Sequence, residues 1–282
     1  MADTNVLVTG ASTGIGEACA LHLDRLGWRV FAGVRKQADA DRLSQRASRR
    51  LVTVSLDVTD EAEVLAAMKT IDDEVGASGL SGLVNNAGVA RGGPLEFLPL
   101  SEWRDQLEVN VVGQVAVTKA ALPLLRRATG RVVFIGSIAG RLATPMVGPY
   151  AASKHAIEAI AESLRHEVAP WGIRVAVVEP GVVKTPIWSK GRTRADELEQ
   201  SLGEEALALY RDQVDKIRAG IEKNDTRGID ASKVAEVVEH ALVSPHPRIR
   251  YLVGPDAKVA GNLARLVPDR VRDALFRRLA SL

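Results

Sequence analysis

Tyr150 and Lys154 stand four positions apart in Tyr150-Ala-Ala-Ser-Lys154, and Ser137 lies upstream in Phe134-Ile-Gly-Ser137. Residues four apart on a helix share a face, one turn from each other. An ammonium beside a phenol favours the phenolate, so this spacing predicts a Tyr150 pKa drawn down from about 10 toward working pH. A phenol tuned in that way passes a proton to or from an oxygen. Taken alone, the same residues also describe a half-buried aromatic and a solvated lysine. What precedes and follows them must decide.

The elements that would position them alternate along the chain. Asn5–Thr9 is a short apolar run ended by Gly10, and a helical pattern runs from Ile15 to Leu26 and stops at Gly27. Further strands are predicted at Arg29–Val34, Leu51–Leu56, Gly82–Asn85, Arg131–Ile135, Ile173–Val178 and Arg248–Val253. Helices are predicted from Asp60 to Val75 with Asp60 as N-cap, from Glu102 to Arg127 with Ser101 as cap, and from Tyr150 to Val168. Asp230 caps another, through Leu242. Strands that alternate with helices and are apolar along their whole length predict an α/β doubly wound Rossmann fold, a seven-stranded parallel sheet with helices on both faces. Ligands of such sheets sit at the carboxyl ends of the strands. Residues 1–282 read as one such domain, carrying a charged helical insertion at about 187–225 over the sheet and an amphipathic tail at 257–282.

The loop between the first strand and the first helix is Thr9-Gly-Ala-Ser-Thr-Gly-Ile-Gly16. Gly10 suits the tight turn, Gly14 lets backbone approach a phosphate, and Gly16 lets the helix pack on the strand. Ser12, Thr13 and Ile15 fall within the same loop, and the helix N-terminus offers N–H groups and a positive dipole end to a pyrophosphate. The spacing is G-x-x-x-G-x-G rather than the common dinucleotide fingerprint. The second strand ends in Gly33-Val34-Arg35-Lys36, with no carboxylate before Asp39. A carboxylate there suits the ribose hydroxyl of NAD, whereas an arginine suits the extra phosphate of NADP. Arg35 therefore favours NADP(H), with NAD(H) as the alternative if Arg35 is an idle loop charge. Asp57, in Leu56-Asp57-Val58, is placed to meet the adenine edge.

Composition excludes several other classes. The 282 residues are 46% hydrophobic and 26% charged, an ordinary globular mix, and the net charge of +2 gives no nucleic-acid surface. Cys19 is the single cysteine, so no disulfide framework is expected, and the five histidines show no metal spacing. Met-Ala-Asp-Thr-Asn runs straight into the first strand, and no apolar run approaches the ~20 residues of a membrane span. The expected location is the cytoplasm.

Seven motifs in order now resemble the short-chain dehydrogenase/reductase family. They are the 9–16 loop, Asp57-Val58, Asn85-Asn-Ala-Gly88, Asn110 in Val109-Asn-Val-Val-Gly113, Ser137, Tyr150-x-x-x-Lys154, and Pro180-Gly181 followed by Val183 and Thr185. The resemblance spans nearly the whole chain and is strongest over 5–186. It implies an enzyme acting on CH–OH groups with NAD(P)⁺ as acceptor. Tyr150 would be the acid in carbonyl reduction and the base in alcohol oxidation. Lys154 would bind the nicotinamide ribose and acidify Tyr150. Ser137 would orient the substrate oxygen, and Asn110 would anchor a water that relays protons to Lys154. Asn85 and Asn86 would support the sheet and border the adenosine, and Thr185 would hold the nicotinamide carboxamide.

Val34-Arg35, Glu179–Pro186 and Tyr251–Ala257 resemble the branch holding retinol dehydrogenases and 17β-hydroxysteroid dehydrogenases. That likeness implies an apolar steroid-, retinoid- or lipid-like substrate. It also implies a homodimer or homotetramer, formed through the faces of helices 102–127 and 150–168. The apolar stripe of the tail is expected to pack on its own domain or a neighbouring subunit rather than a membrane. A different class, a non-catalytic dinucleotide-sensing protein of the same fold, typically lacks the Tyr or the Lys. Enoyl reductases space the two more widely.

Overall fold

The computed structural model describes residues 4–187, 189, 193, 196, 208–215 and 228–280. The apolar runs form strands β1 (Asn5–Val8), β2 (Arg29–Val34), β3 (Leu51–Ser55), β4 (Gly82–Asn85), β5 (Arg131–Ile135), β6 (Arg174–Pro180) and β7 (Arg250–Val253). They pair in the order β3-β2-β1-β4-β5-β6-β7, every pair parallel. Successive strand residues point to opposite faces, and the sheet divides its apolar side chains accordingly. Val6, Val8, Val30, Ala32, Val84, Val133 and Val178 enter one core. Leu7, Phe31, Leu83, Val132, Phe134, Val175 and Val177 enter the other. Burial on both faces explains why these strands read as continuous apolar runs.

Helices α1 (Gly14–Arg25), α2 (Gln37–Ser44) and α7 (Ala231–Val243) cover the first core, and α3 (Glu61–Val75), α5 (Gly113–Ala128) and α6 (Gly148–Glu167) the second. The expected caps at Asp60 and Asp230 are present. The Asp60 carboxylate accepts from Ala62 N and Glu63 N, and that of Asp230 accepts from Ser232 N.

One expectation needs correction. The helix expected from Glu102 to Arg127 starts at Leu100, with Pro99 rather than Ser101 at its cap position. It is also interrupted: α4 (Leu100–Leu107) passes through one turn of π-helix, Glu108–Val112, before α5. A π turn carries one extra residue and re-aims the side chains it holds, and such turns recur at functional sites. Asn110 sits in this one. The tail is two helices, α8 (Pro255–Leu266) and α9 (Asp269–Ala280), because Pro268 cannot continue the first. Ala257 and Gly261 bury α8 against the sheet, with Gly261 pressed on Leu252 of β7, while Leu266 and Val271 of the expected stripe stay exposed. The insertion at 187–225 lies largely outside the described residues. Within it, 208–215 are helical, and Tyr210 donates to Glu96 at 3.0 Å and meets Phe97 edge-on.

Candidate active site

Parallel strands end together, and the loops after β1, β2, β3, β4, β5 and β6 enclose one crevice of about 270 Å³. Its floor is the phosphate loop. Gly10 and Gly14 adopt φ of +63° and +62°, which disfavours any residue with a Cβ. Gly10, Ser12, Thr13, Gly14 and Ile15 all line the crevice. Gly16 does not. It lies behind the loop, where an added Cβ would come within 2.3 Å of Gly10 O and 2.4 Å of Asn86 Nδ2. Its expected part in cofactor binding is thus packing, which lets α1 begin against β1. Thr13 makes no side-chain cap on α1. The first-turn N–H groups are thus without a side-chain acceptor, the arrangement that suits an anion.

Asn86 ties this loop to β4. Its Nδ2 donates to Thr9 O and Gly10 O at 2.9 and 3.1 Å, while Thr9 Oγ1 accepts from Asn86 N and Ala87 N. Asn85 turns the other way, into the sheet, and donates to Thr118 Oγ1 of α5 at 2.7 Å. Arg35, Asp57 and Val58 line the far end. Arg35 is exposed, with Nη1 3.4 Å from Asp57 Oδ2. Burial pushes the Asp57 carboxyl up, but hydrogen bonds from Thr59 and the charge of Arg35 outweigh it and hold the group below its ordinary value.

Asn110, Ser137, Tyr150 and Lys154 meet at the opposite end of the same crevice, joined by Pro180, Gly181, Val183 and Thr185. Ser137 caps the turn after β5 by accepting from Ala139 N, and its hydroxyl bonds the Tyr150 phenol. Lys154 is buried, its Nζ donates to Ile135 O at 2.7 Å, and it lies 5.7 Å from the centre of the Tyr150 ring. Burial lowers the Lys154 ammonium to about 8, partly opposed by Glu158 one turn further on. The expected acidification of Tyr150 does not follow. Burial raises the phenol, and the bond from Ser137 is the influence that opposes it. Thr185 lies over Gly14: a Cβ on Gly14 would come within 3.1 Å of its Cγ2.

Chemistry and shape both fit a nicotinamide dinucleotide. One end has a glycine cradle and a helix N-terminus for a pyrophosphate, the other a lysine and hydroxyl donors for a ribose. The sequence pattern describing short chain dehydrogenases matches residues 4–196. The chain belongs to the short-chain dehydrogenase/reductase family. Among its relatives in that family is retinol dehydrogenase 5 of Mus musculus, 39% identical over 97% of this chain and 88% of that protein. An NADPH-dependent 3-dehydrocapnine reductase of Ornithobacterium rhinotracheale is 38% identical over 96% of this chain and 95% of its own. A short chain dehydrogenase from Burkholderia cenocepacia, solved in complex with NADP, superposes with a TM-score of 0.73 at 27% identity, covering 98% of this chain and 97% of that one. A family member from Burkholderia phymatum, solved with NAD, gives 0.78 at 25% identity over 93% and 92%.

Several residues hold this short-chain dehydrogenase site together, and all of them but Asn110 escape a reading of the sequence. Gln106, Asn110 and Gln114, four residues apart on α4, the π turn and α5, each send an amide to the loop after β4. Gln106 bonds Val89 O and Arg91 N, Asn110 bonds Val89 O and N, and Gln114 bonds Ala87 O at 2.8 Å. Their signal was an amide at every fourth position, on a stripe that looks solvated. Asn110 also donates to Ser153 Oγ, which in turn donates to Tyr150 O. Both its side-chain atoms are thereby engaged with protein. From the tail, Asp256 accepts from Val182 N at 2.7 Å and packs on Gly181, pinning the loop after β6. Arg42 of α2 grips the back of the phosphate loop through Ser12 O and Glu17. Among the described residues no group of three or more His, Cys, Asp or Glu side chains could hold a metal, and no helix is long and apolar enough to cross a membrane.

Proposed function

We propose that this chain is an NADP(H)-dependent oxidoreductase that interconverts a carbonyl and an alcohol on an apolar substrate of steroid, retinoid or lipid type. The observation that carries this reading is the convergence of Ser137, Tyr150 and Lys154 at one end of a crevice whose other end presents Arg35. The phosphate loop and the α1 N-terminus would hold the pyrophosphate, Arg35 the 2′-phosphate, Asp57 and Val58 the adenine edge, and Pro180, Gly181, Val183 and Thr185 the nicotinamide. The bound cofactor supplies or accepts the hydride. Ser137 orients the substrate oxygen, and its hydroxyl stabilises charge developing there. Tyr150 gives a proton to that oxygen in reduction and takes it in oxidation. Lys154, kept cationic, anchors the ribose and replaces the proton that Tyr150 gives up, fed through the Asn110 end of the crevice.

The substrate side is apolar, lined by Val89, Ala90, Val109, Pro186 and Ile187, and the Arg91 side chain beside them is already paired with Glu102 and Asp105. The named retinol dehydrogenases among the relatives support the same substrate class. Arg35 and the NADPH-dependent reductase support the cofactor assignment. We place residues 1–282 in one functional unit, working in the cytoplasm as a homodimer or homotetramer. The deciding experiment measures initial rates from the absorbance of the reduced nicotinamide, with NADPH and NADH, against retinal, a ketosteroid and a short polar ketone. Faster turnover of the bulky apolar carbonyls with NADPH is expected. Preference for the polar ketone overturns the substrate class, and preference for NADH overturns the cofactor.

A further inference from the structure

Behind Lys154, away from the crevice, lie two carboxyl groups that the chemistry above does not use. Glu158 is on α6, one turn after Lys154, and Glu179 is the residue of β6 just before Pro180. Glu179 is fully buried. Each is held on one side by an arginine: Arg141 Nε donates to Glu179 Oε1 at 2.8 Å, and Arg250 Nε to Glu158 Oε2 at 2.7 Å. The other oxygens, Glu158 Oε1 and Glu179 Oε2, are buried with no protein donor, and Glu158 is near enough to raise the Glu179 carboxyl. Gly136 keeps the space open, since a Cβ there would meet Glu158 Oε1 at 3.4 Å and Val177 at 2.7 Å. Ionised carboxylates only accept. Two of them buried beside each other are stabilised by a proton between them.

We propose that Glu158 and Glu179 share one proton, and that this pair is a positioning device that sets the charge of Lys154. Burial and the neighbouring Glu158 push Glu179 up to about 7, against the pull of Arg141. Burial lowers Lys154 to about 8. As pH rises, the pair therefore loses its proton first. The added negative charge, one turn below Lys154, then holds the ammonium in its cationic form while solution pH climbs past neutrality. The charged groups around the pair are Arg141 on the turn after β5, Lys154 and Glu162 on α6, Arg250 on β7 and Asp256 of α8 beyond Gly181. The two arginines are each bonded to one carboxylate, which leaves the Glu158–Glu179 proton as the variable charge of the cluster.

The consequence for turnover rests on the proposed reaction, so the test has one arm that does not need turnover. In infrared spectra of the intact protein in D₂O, a carboxylic-acid carbonyl band is expected to persist at about pH 6, where exposed carboxyls are ionised. It should disappear on titration through about 7, be missing from Glu179→Gln, and titrate at lower pH in Glu158→Gln, where burial alone still raises Glu179. Absence of such a band in the wild type refutes the shared proton, whatever the substrate. In the kinetic arm, Glu179→Gln keeps an amide donor to Glu158 and an acceptor for Arg141 but cannot release a proton. Its kcat/KM should match wild type on the acid side. Its alkaline limb should move down by on the order of half a unit to one unit, the effect of one charge about a helical turn away at an effective dielectric near ~20. Glu158→Gln should move it further, because the Glu158 charge, one turn from Lys154, itself raises the ammonium. An alkaline limb unchanged in both variants, with the infrared band present, refutes the link to Lys154 alone. A uniform loss of kcat at every pH refutes tuning in favour of packing.

Discussion

Replacing Arg35 with alanine tests the cofactor assignment most directly. The guanidinium is 63% exposed and its partner, Asp57, is 3.4 Å away, a pair at the long end of ion-pair distances. An exposed pair of that kind contributes about 0–1 kcal/mol, so turning Arg35 toward a phosphate costs little. A charge-assisted hydrogen bond contributes about 1.5–3 kcal/mol. The difference leaves a net effect of about 0.5–3 kcal/mol for the 2′-phosphate, equivalent to a roughly 2- to 160-fold weaker NADPH complex in Arg35→Ala. NADH has no such phosphate, and its dissociation constant should change less than about three-fold. Equilibrium titration by quenching of protein fluorescence reads both constants on one preparation. Equal losses for NADPH and NADH, or none for either, would refute the reasoning, since either result means that Arg35 does not touch the group that distinguishes the two cofactors.

Tyr150→Phe keeps the ring under Lys154 and removes only the phenol, so turnover should fall by about 10²-fold or more while NADPH binding changes by less than a few-fold; retained turnover in steady-state assays excludes Tyr150 as the proton donor. Gly16→Ala forces a Cβ to within 2.3 Å of Gly10 O, and thermal unfolding should show a loss of roughly 1–3 kcal/mol together with weakened cofactor binding. Gln114→Leu strips the donor from Ala87 O, leaving a buried acceptor unpaired, and should cost about 1–3 kcal/mol by urea unfolding with no change in the pH profile of turnover. Glu179 has its folded pKa raised from 4.5 to about 7, so the stability it contributes is complete below about 4.5 and is lost as pH rises through 7. Wild-type unfolding free energy should thus fall by up to about 3 kcal/mol across that window from this group, and the fall should be absent in Glu179→Gln.

What the sequence made legible follows from how local each determinant is. The phosphate loop could be read because Gly10, Gly14 and Gly16 satisfy steric demands within seven residues, and the strands because both faces of each are buried. The π turn at 108–112 stayed hidden because one inserted residue leaves the apolar spacing on either side looking like a continuous helix. The direction of the Tyr150 shift was misread for a related reason. Lys154 one turn away is visible in the sequence, whereas the burial that raises the phenol belongs to the assembled crevice. The supporting polar residues are the clearest case. Gln114 reaches 27 residues back to Ala87, Arg141 reaches 38 forward to Glu179, Asp256 reaches 74 back to Val182, and Arg250 reaches 92 back to Glu158. A glutamine or glutamate on a helix reads as a solvated face until its partner is known, and these partners come from other elements. The groups that would act on substrate lie on short motifs at strand ends, where local geometry constrains them tightly. The groups that set their charge and hold their loops lie deep between elements, where a buried polar atom must find a partner wherever the fold brings one. Specificity for pH, as distinct from reaction type, is accordingly written in the long-range pairs rather than in the motifs.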